Sequence, residues 1–156
     1  MPPFVHLHLH TEYSLLDGAN RPEEVCRTAA EMGMPAIALT DHGNLFGAIN
    51  FHDAARQAGI KPIIGIEAYV ADGSHTERNP ARKSSNHLVL LARDETGYRN
   101  LIKLTTISFL DGHYYKPRID HELLRRHADG LIGLSACLKG EVSERILAGD
   151  LDGAEA

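Results

Sequence analysis

Five short runs set the terms for this chain: "FVHLHLH" at 4–10, "PAIALT" at 35–40, "KPIIGIEAYVA" at 61–71, "HLVLLA" at 87–92 and "GLIGLSA" at 130–136. Each has the length and the bounding turn residues of a strand. The first alternates, with Val5, Leu7 and Leu9 on one face and His6, His8 and His10 on the other, which is the two-residue period of a strand. Between the runs lie helices. One is expected from Pro22 to about Met32, with Asn20 as its cap and Gly33 at its end. Leu45 to Ala58 reads as a second, closed by Gly59. Residues 94–110 read as a third, with apolar positions at Leu101, Leu104, Ile107 and Phe109. Asp120 caps a short one through Arg126, and another starts near Gly140. A βα order repeated about five times predicts a parallel sheet with helices packed outside it.

Five units suit an open doubly wound sheet or part of an α/β barrel, since a full barrel needs roughly 250 residues. The 156-residue chain stops at "LAGDLDGAEA" with no capping glycine, strand or polar tail, so a truncated chain is expected. No apolar run approaches the roughly 18 residues that span a membrane, and no basic-then-apolar leader opens the sequence. A cytoplasmic protein without membrane contact is the expectation. Cys26 and Cys137 lie far apart and are read as reduced thiols. A net charge of -5 argues against holding nucleic acid by bulk electrostatics. Arg78, Arg82 and Lys83, in the polar loop after the third run, are read as solvated or as guides for DNA.

Ten histidines are the unusual number, and imidazole is a ready metal ligand. In parallel α/β folds ligands gather at the carboxyl ends of strands. His8 and His10 finish the first strand, Asp41 and His42 directly follow the second, Glu67 lies on the third and Cys137 directly follows the fifth. His87 opens its strand and is the exception. His8 and His10 point the same way about 7 Å apart, a span a metal can bridge. Glu67 interrupts an apolar strand, and a buried carboxylate needs a positive partner. His6 shares the face of His8 and His10, one residue pair deeper, as a ligand or as a hydrogen-bonder behind the ligands. Asp17 is a turn former or a ligand, Asp41 an Asx-turn residue beside His42, and Cys137 a core thiol or a ligand. Cys26 is read as core. His52, His75, His113, His121 and His127 lack partners at ligand spacing and are read as surface residues. A set rich in imidazole and carboxylate with one sulfur suits zinc, manganese or iron, and clustered ions are the hardware of phosphoester hydrolysis.

In order, "HLHLHT", "TDHGN", "GIEAYV", "HLVLLA" and "SAC" resemble the PHP (polymerase and histidinol phosphatase) superfamily. "YSLLDGA", "GIKPIIGIEAYVA", "DETGYRNLIKL", "YYKPRID" and "GLIGLSACLKGE" are similar to the N-terminal PHP domain of bacterial DNA polymerase III alpha subunits. The resemblance covers nearly all of the chain. It implies a distorted (β/α)7 barrel, here truncated after about five βα units, and residues 1–156 as the N-terminal part of that domain. It implies metal ligands at His8, His10, Asp17, His42, Glu67, His87 and Cys137, with a later aspartate and histidine beyond this chain. Two or three divalent ions would fill the complete site. The implied activity is a metal-dependent 3'-5' exonuclease acting on a DNA 3' terminus within the polymerase, among other replisome subunits. Alternatives are a phosphomonoesterase or pyrophosphatase on the same centre, or a structural module without activity. A barrel cut after five strands would leave open edges and self-associate.

Overall fold

The computed structural model describes residues 4–80 and 85–155. Its elements are α1 (Pro22–Glu31), β1 (Ala36–His42), α2 (Ala48–Gln57), β2 (Lys61–Ala71), β3 (Ser85–Ala92), α3 (Glu95–Leu110), β4 (Arg118–Ile119), α4 (His121–Arg126), β5 (Leu131–Leu134), α5 (Glu141–Leu147) and α6 (Leu151–Glu155). The strands form one sheet in the order β1-β2-β3-β5, and β4 pairs with β2 beyond the end of β1. The sheet is unclosed. Of the basic loop residues, Arg82 and Lys83 lie outside the described residues, and Arg78 is exposed.

The expected all-parallel sheet needs correction. β1 and β2 are parallel, as are β2 and β4, but β3 runs antiparallel to both β2 and β5. Parallel neighbours need a crossover of a dozen or more residues, usually helical. The described residues between β2 and β3 contain no helix, so the chain turns back on itself. The first strand is corrected as well. Residues 4–10 form no strand and bend at His8, but run beside β1, with Ala38 N donating to His6 O and Thr40 N to Leu9 O, both at 2.9 Å. The Leu9 amide donates to the Thr40 hydroxyl instead of a carbonyl, at 2.7 Å. A side chain thus interrupts what would be a ladder.

Packing follows the strand period. Ile37 and Leu39 of β1 meet Cys26 and Ala29 of α1 and Phe51, Ala54 and Ala55 of α2. Ile66, Ala68 and Val70 of β2 join Leu90 of β3, Leu101 and Leu104 of α3, Ile119 of β4 and Leu123 of α4. Cys26 is core as expected, and burial pushes its thiol up to about 11. Asp94 and Asp120 cap α3 and α4 through Gly97 N and Leu123 N. Asn20 does not cap α1, whose first turn is preceded by Arg21. Its amide donates instead to His10 O at 2.8 Å. No helix among the described residues is long and apolar enough to cross a membrane.

Candidate metal centre

Glu67 and Tyr69 alternate with the core residues of β2 and so face the opposite side of the sheet. His42 ends β1 beside Glu67, and His87 lies across from Tyr69 on β3. The reversed direction of β3 explains why a histidine at a strand's beginning reaches the carboxyl ends of its neighbours. His8 and His10 arrive on the segment beside β1. Asp17 arrives on the loop that follows it.

That loop hangs on a carboxylate. Asp41 is fully buried and accepts three hydrogen bonds of 2.7 Å, from Thr11 N, Thr11 Oγ1 and Ser14 Oγ. His42 N donates to Ser14 Oγ at 3.1 Å, tying the loop to the site. Gly18 closes the loop against Thr11, whose carbonyl oxygen would lie 1.8 Å from any Cβ at position 18. Asp41 is therefore more than a turn residue beside His42.

Glu67, 1% exposed, is the centre. Its Oε1 lies 2.8 Å from His87 Nδ1 and 3.5 Å from His8 Nε2. Its Oε2 lies 2.9 Å from His42 Nδ1 and 3.2 Å from His10 Nε2. Asp17 Oδ2 meets His42 Nε2 at 2.9 Å. The rings of His10 and His42 stack with centroids 4.2 Å apart. Cys137, exposed at the rim, places its Sγ 3.6 Å from His87 Nδ1. All seven expected ligand positions thus converge on one place. The ring of His6 is exposed and packs edge-on against Phe4 rather than joining them.

Charge is unevenly held here. Burial alone would raise the Glu67 carboxyl, but His10, His42 and His87 drive it well below its usual range. Glu67 beside it raises His42 despite burial, and Asp17 adds to the effect. Burial lowers His87, against the pull of Glu67. The hydrogen bond with His42 lowers Asp17.

Among the described residues, His8 Nε2, His10 Nδ1, His42 Nδ1 and Glu67 Oε2 are buried without a hydrogen-bond partner. The close approach of His42 Nδ1 to Glu67 is not aligned for one. Leaving such atoms unpaired is costly. Ligands about 2.0–2.1 Å from a zinc ion stand roughly 3.0–3.4 Å from one another, close to the separations around Glu67. Three overlapping groups, His8/His10/Glu67, His10/Asp17/His42 and His42/Glu67/His87, offer donor atoms within 4.8 Å of one another and could each hold an ion. The donor set fits divalent metal.

Sequence reasoning missed several supporting residues. Tyr69, whose ring stacks on His42 and meets His87 edge-on, was legible from its i+2 spacing to Glu67. Burial, with the charges of Glu67 and Asp17, pushes its phenol up to about 12, so it stays neutral. Thr11 and Ser14 carried no local cue, because their partner Asp41 is 30 and 27 residues away. His75, expected at the surface, is instead mostly buried and hydrogen-bonded to Asp120.

A family model described as PHP domain matches residues 6–156. The chain is 52% identical to DNA polymerase III subunit alpha of Borreliella burgdorferi over 97% of its own length and 13% of that protein's. It is 51% identical to DNA polymerase III subunit alpha of Aquifex aeolicus over 88% of its length and 12% of that protein's. It therefore spans about an eighth of the curated relatives it matches. A solved structure of an amidohydrolase from Chromobacterium violaceum is 30% identical, with a TM-score of 0.47 over 64% of this chain and 32% of that one.

Proposed function

That the chain belongs to the PHP domain family is the premise from which we propose that its histidine–carboxylate centre hydrolyses phosphodiesters, as the 3'-5' exonuclease domain of a bacterial replicative polymerase alpha subunit. In this reading His8, His10, Asp17, His42, Glu67, His87 and Cys137 hold two or three ions of zinc, manganese or iron in the complete site. Such ions supply an activated water and positive charge for phosphoryl oxygens. The protein's own groups orient and enclose. Glu67 aligns four imidazoles from beneath, and Asp17 fixes the outer nitrogen of His42 while remaining open to solvent. Tyr69 stays neutral and walls one side. DNA and the other replisome subunits are the partners, and the cytoplasm is the compartment.

The observation that carries the reading is the set of four buried, unpartnered donor atoms on residues gathered around Glu67. Similarity to two polymerase subunits supports the replicative context. Elemental mass spectrometry on protein purified without chelator should find metal in the wild type. His10→Ala and Glu67→Ala should lose metal and about a hundredfold or more of the hydrolysis rate on 3'-ended DNA. Unchanged metal content and rate in both variants would refute the reading. A second reading, an interaction module without activity, draws on the exposed apolar residues Leu138, Leu147 and Leu151. A wild type that loads metal but leaves 3'-ended DNA intact would favour it.

A further inference from the structure

Lys116 stands one aromatic ring away from the metal-ligating cluster. Its Nζ lies 4.2 Å from the centroid of the Tyr69 ring, and that ring reaches His42 at 5.8 Å and His87 at 5.2 Å between centroids. Among the described residues no ion pair includes Lys116. An exposed lysine with no carboxylate partner usually sweeps through solvent, whereas this one is seated.

The backbone around it is fixed from three sides. Tyr114 N donates to Lys116 O at 3.1 Å across a turn in which Tyr115 takes φ 61°, a conformation bulky residues seldom hold without support. Pro117 packs on the turn at Gly43, where φ is 61° and a Cβ would stand 2.8 Å from the proline ring. Arg118 is 2% exposed, and its guanidinium donates to Gly112 O, His75 O and Glu77 O. The segment is thus locked with the Lys116 ammonium seated over the Tyr69 ring.

A phosphodiester entering the centre carries a negative charge that a cation at this distance can meet, as lysine does elsewhere as a compact point charge. We propose that Lys116 binds a phosphate oxygen of the substrate, with Tyr69 as the platform that holds the ammonium against the histidine–carboxylate centre. The proposal rests on the phosphoesterase reading above.

The test uses the metal-loaded full chain, with inorganic phosphate as the binding probe and bis(p-nitrophenyl) phosphate as the diester. Lys116→Met keeps the apolar stem over Tyr69 and removes the charge. It should retain metal per chain and melting temperature, weaken phosphate binding and raise KM about tenfold, and change kcat less. Lys116→Arg should recover most of the loss. Wild-type phosphate affinity and KM in Lys116→Met would make the residue a packing contact only and overturn the proposal. Loss of metal from that variant would overturn it too, by assigning Lys116 to the integrity of the centre. A wild type that loads metal but neither binds phosphate nor cleaves the diester would instead bring down the phosphoesterase reading, and Lys116 with it.

Discussion

Asp120 and Glu67 are both buried carboxylates met by histidine, and they end in opposite conditions. Burial works to raise Asp120, but hydrogen bonds from the His75 ring and from the backbone amides of His75 and Leu123 overcome it and hold the carboxyl at about 2. Both oxygens of Asp120 have partners, so the carboxylate is satisfied. Glu67 has an unpartnered oxygen and unpartnered imidazoles around it. The first is a structural lock, whereas the second belongs to groups that could hold a metal ion. Because Asp120 falls below its ordinary value of 3.8 on folding, its contribution is fully present above about pH 4 and is lost as pH drops toward 2. It is worth about 2 kcal/mol at neutral pH. Asp120→Asn should lower stability near neutrality by that amount and flatten the loss of stability between pH 4 and 2 in urea melts. An unchanged slope across that window would show that other groups govern acid unfolding. The cap at Asp120 was legible in the sequence but its pairing with His75, 45 residues away, was not.

Elements were legible where their cues are local. The caps Asp94 and Asp120, the helix α3 and the strand β2 all follow from periodicity and punctuation. Long-range substitution hid the rest. The segment at 4–10 has the right period in sequence, but it bends at His8 and the Thr40 hydroxyl takes a place in its ladder. β4 is two residues long, too short for any period to register. The direction of β3 could have been read, since the polar stretch before it carries no helical spacing. The loop at 11–20 shows how much one distant residue can organise, because Asp41 alone accepts its Thr11 and Ser14 donors. Removing that carboxylate strands buried donors, so Asp41→Ala should cost about 3 kcal/mol. It should also release Asp17 and reduce metal per chain, although Asp41 itself touches no ion. Denaturant melts and elemental analysis check both. Full metal content in a variant of ordinary stability would mean the loop is held elsewhere.

At the scale of the molecule the sheet is open, and apolar side chains crowd its β5 end. Leu138 is 76% exposed, Leu147 74% and Leu151 61%, with Ile132, Val142 and Ile146 also exposed. Adjacent apolar surface of this kind drives association, and an exposed edge strand adds a template for pairing. Light scattering on the 156-residue chain should report a mass above the monomer, and Leu138→Lys with Leu147→Lys should reduce it. A compact monomer that melts in one cooperative step would contradict this. The seven polar residues expected to gather do lie together, and the all-parallel sheet expected from the βα order was the error. That reversal has a consequence for the order of events in the cell. The donors are spread from His8 to Cys137, with β3 and the end of β5 delivering the last of them. A nascent chain releases its first two imidazoles early and must carry them uncommitted until distant strands emerge and pair. On the proposed function, metal capture would come late in biogenesis, once β3 and β5 have paired.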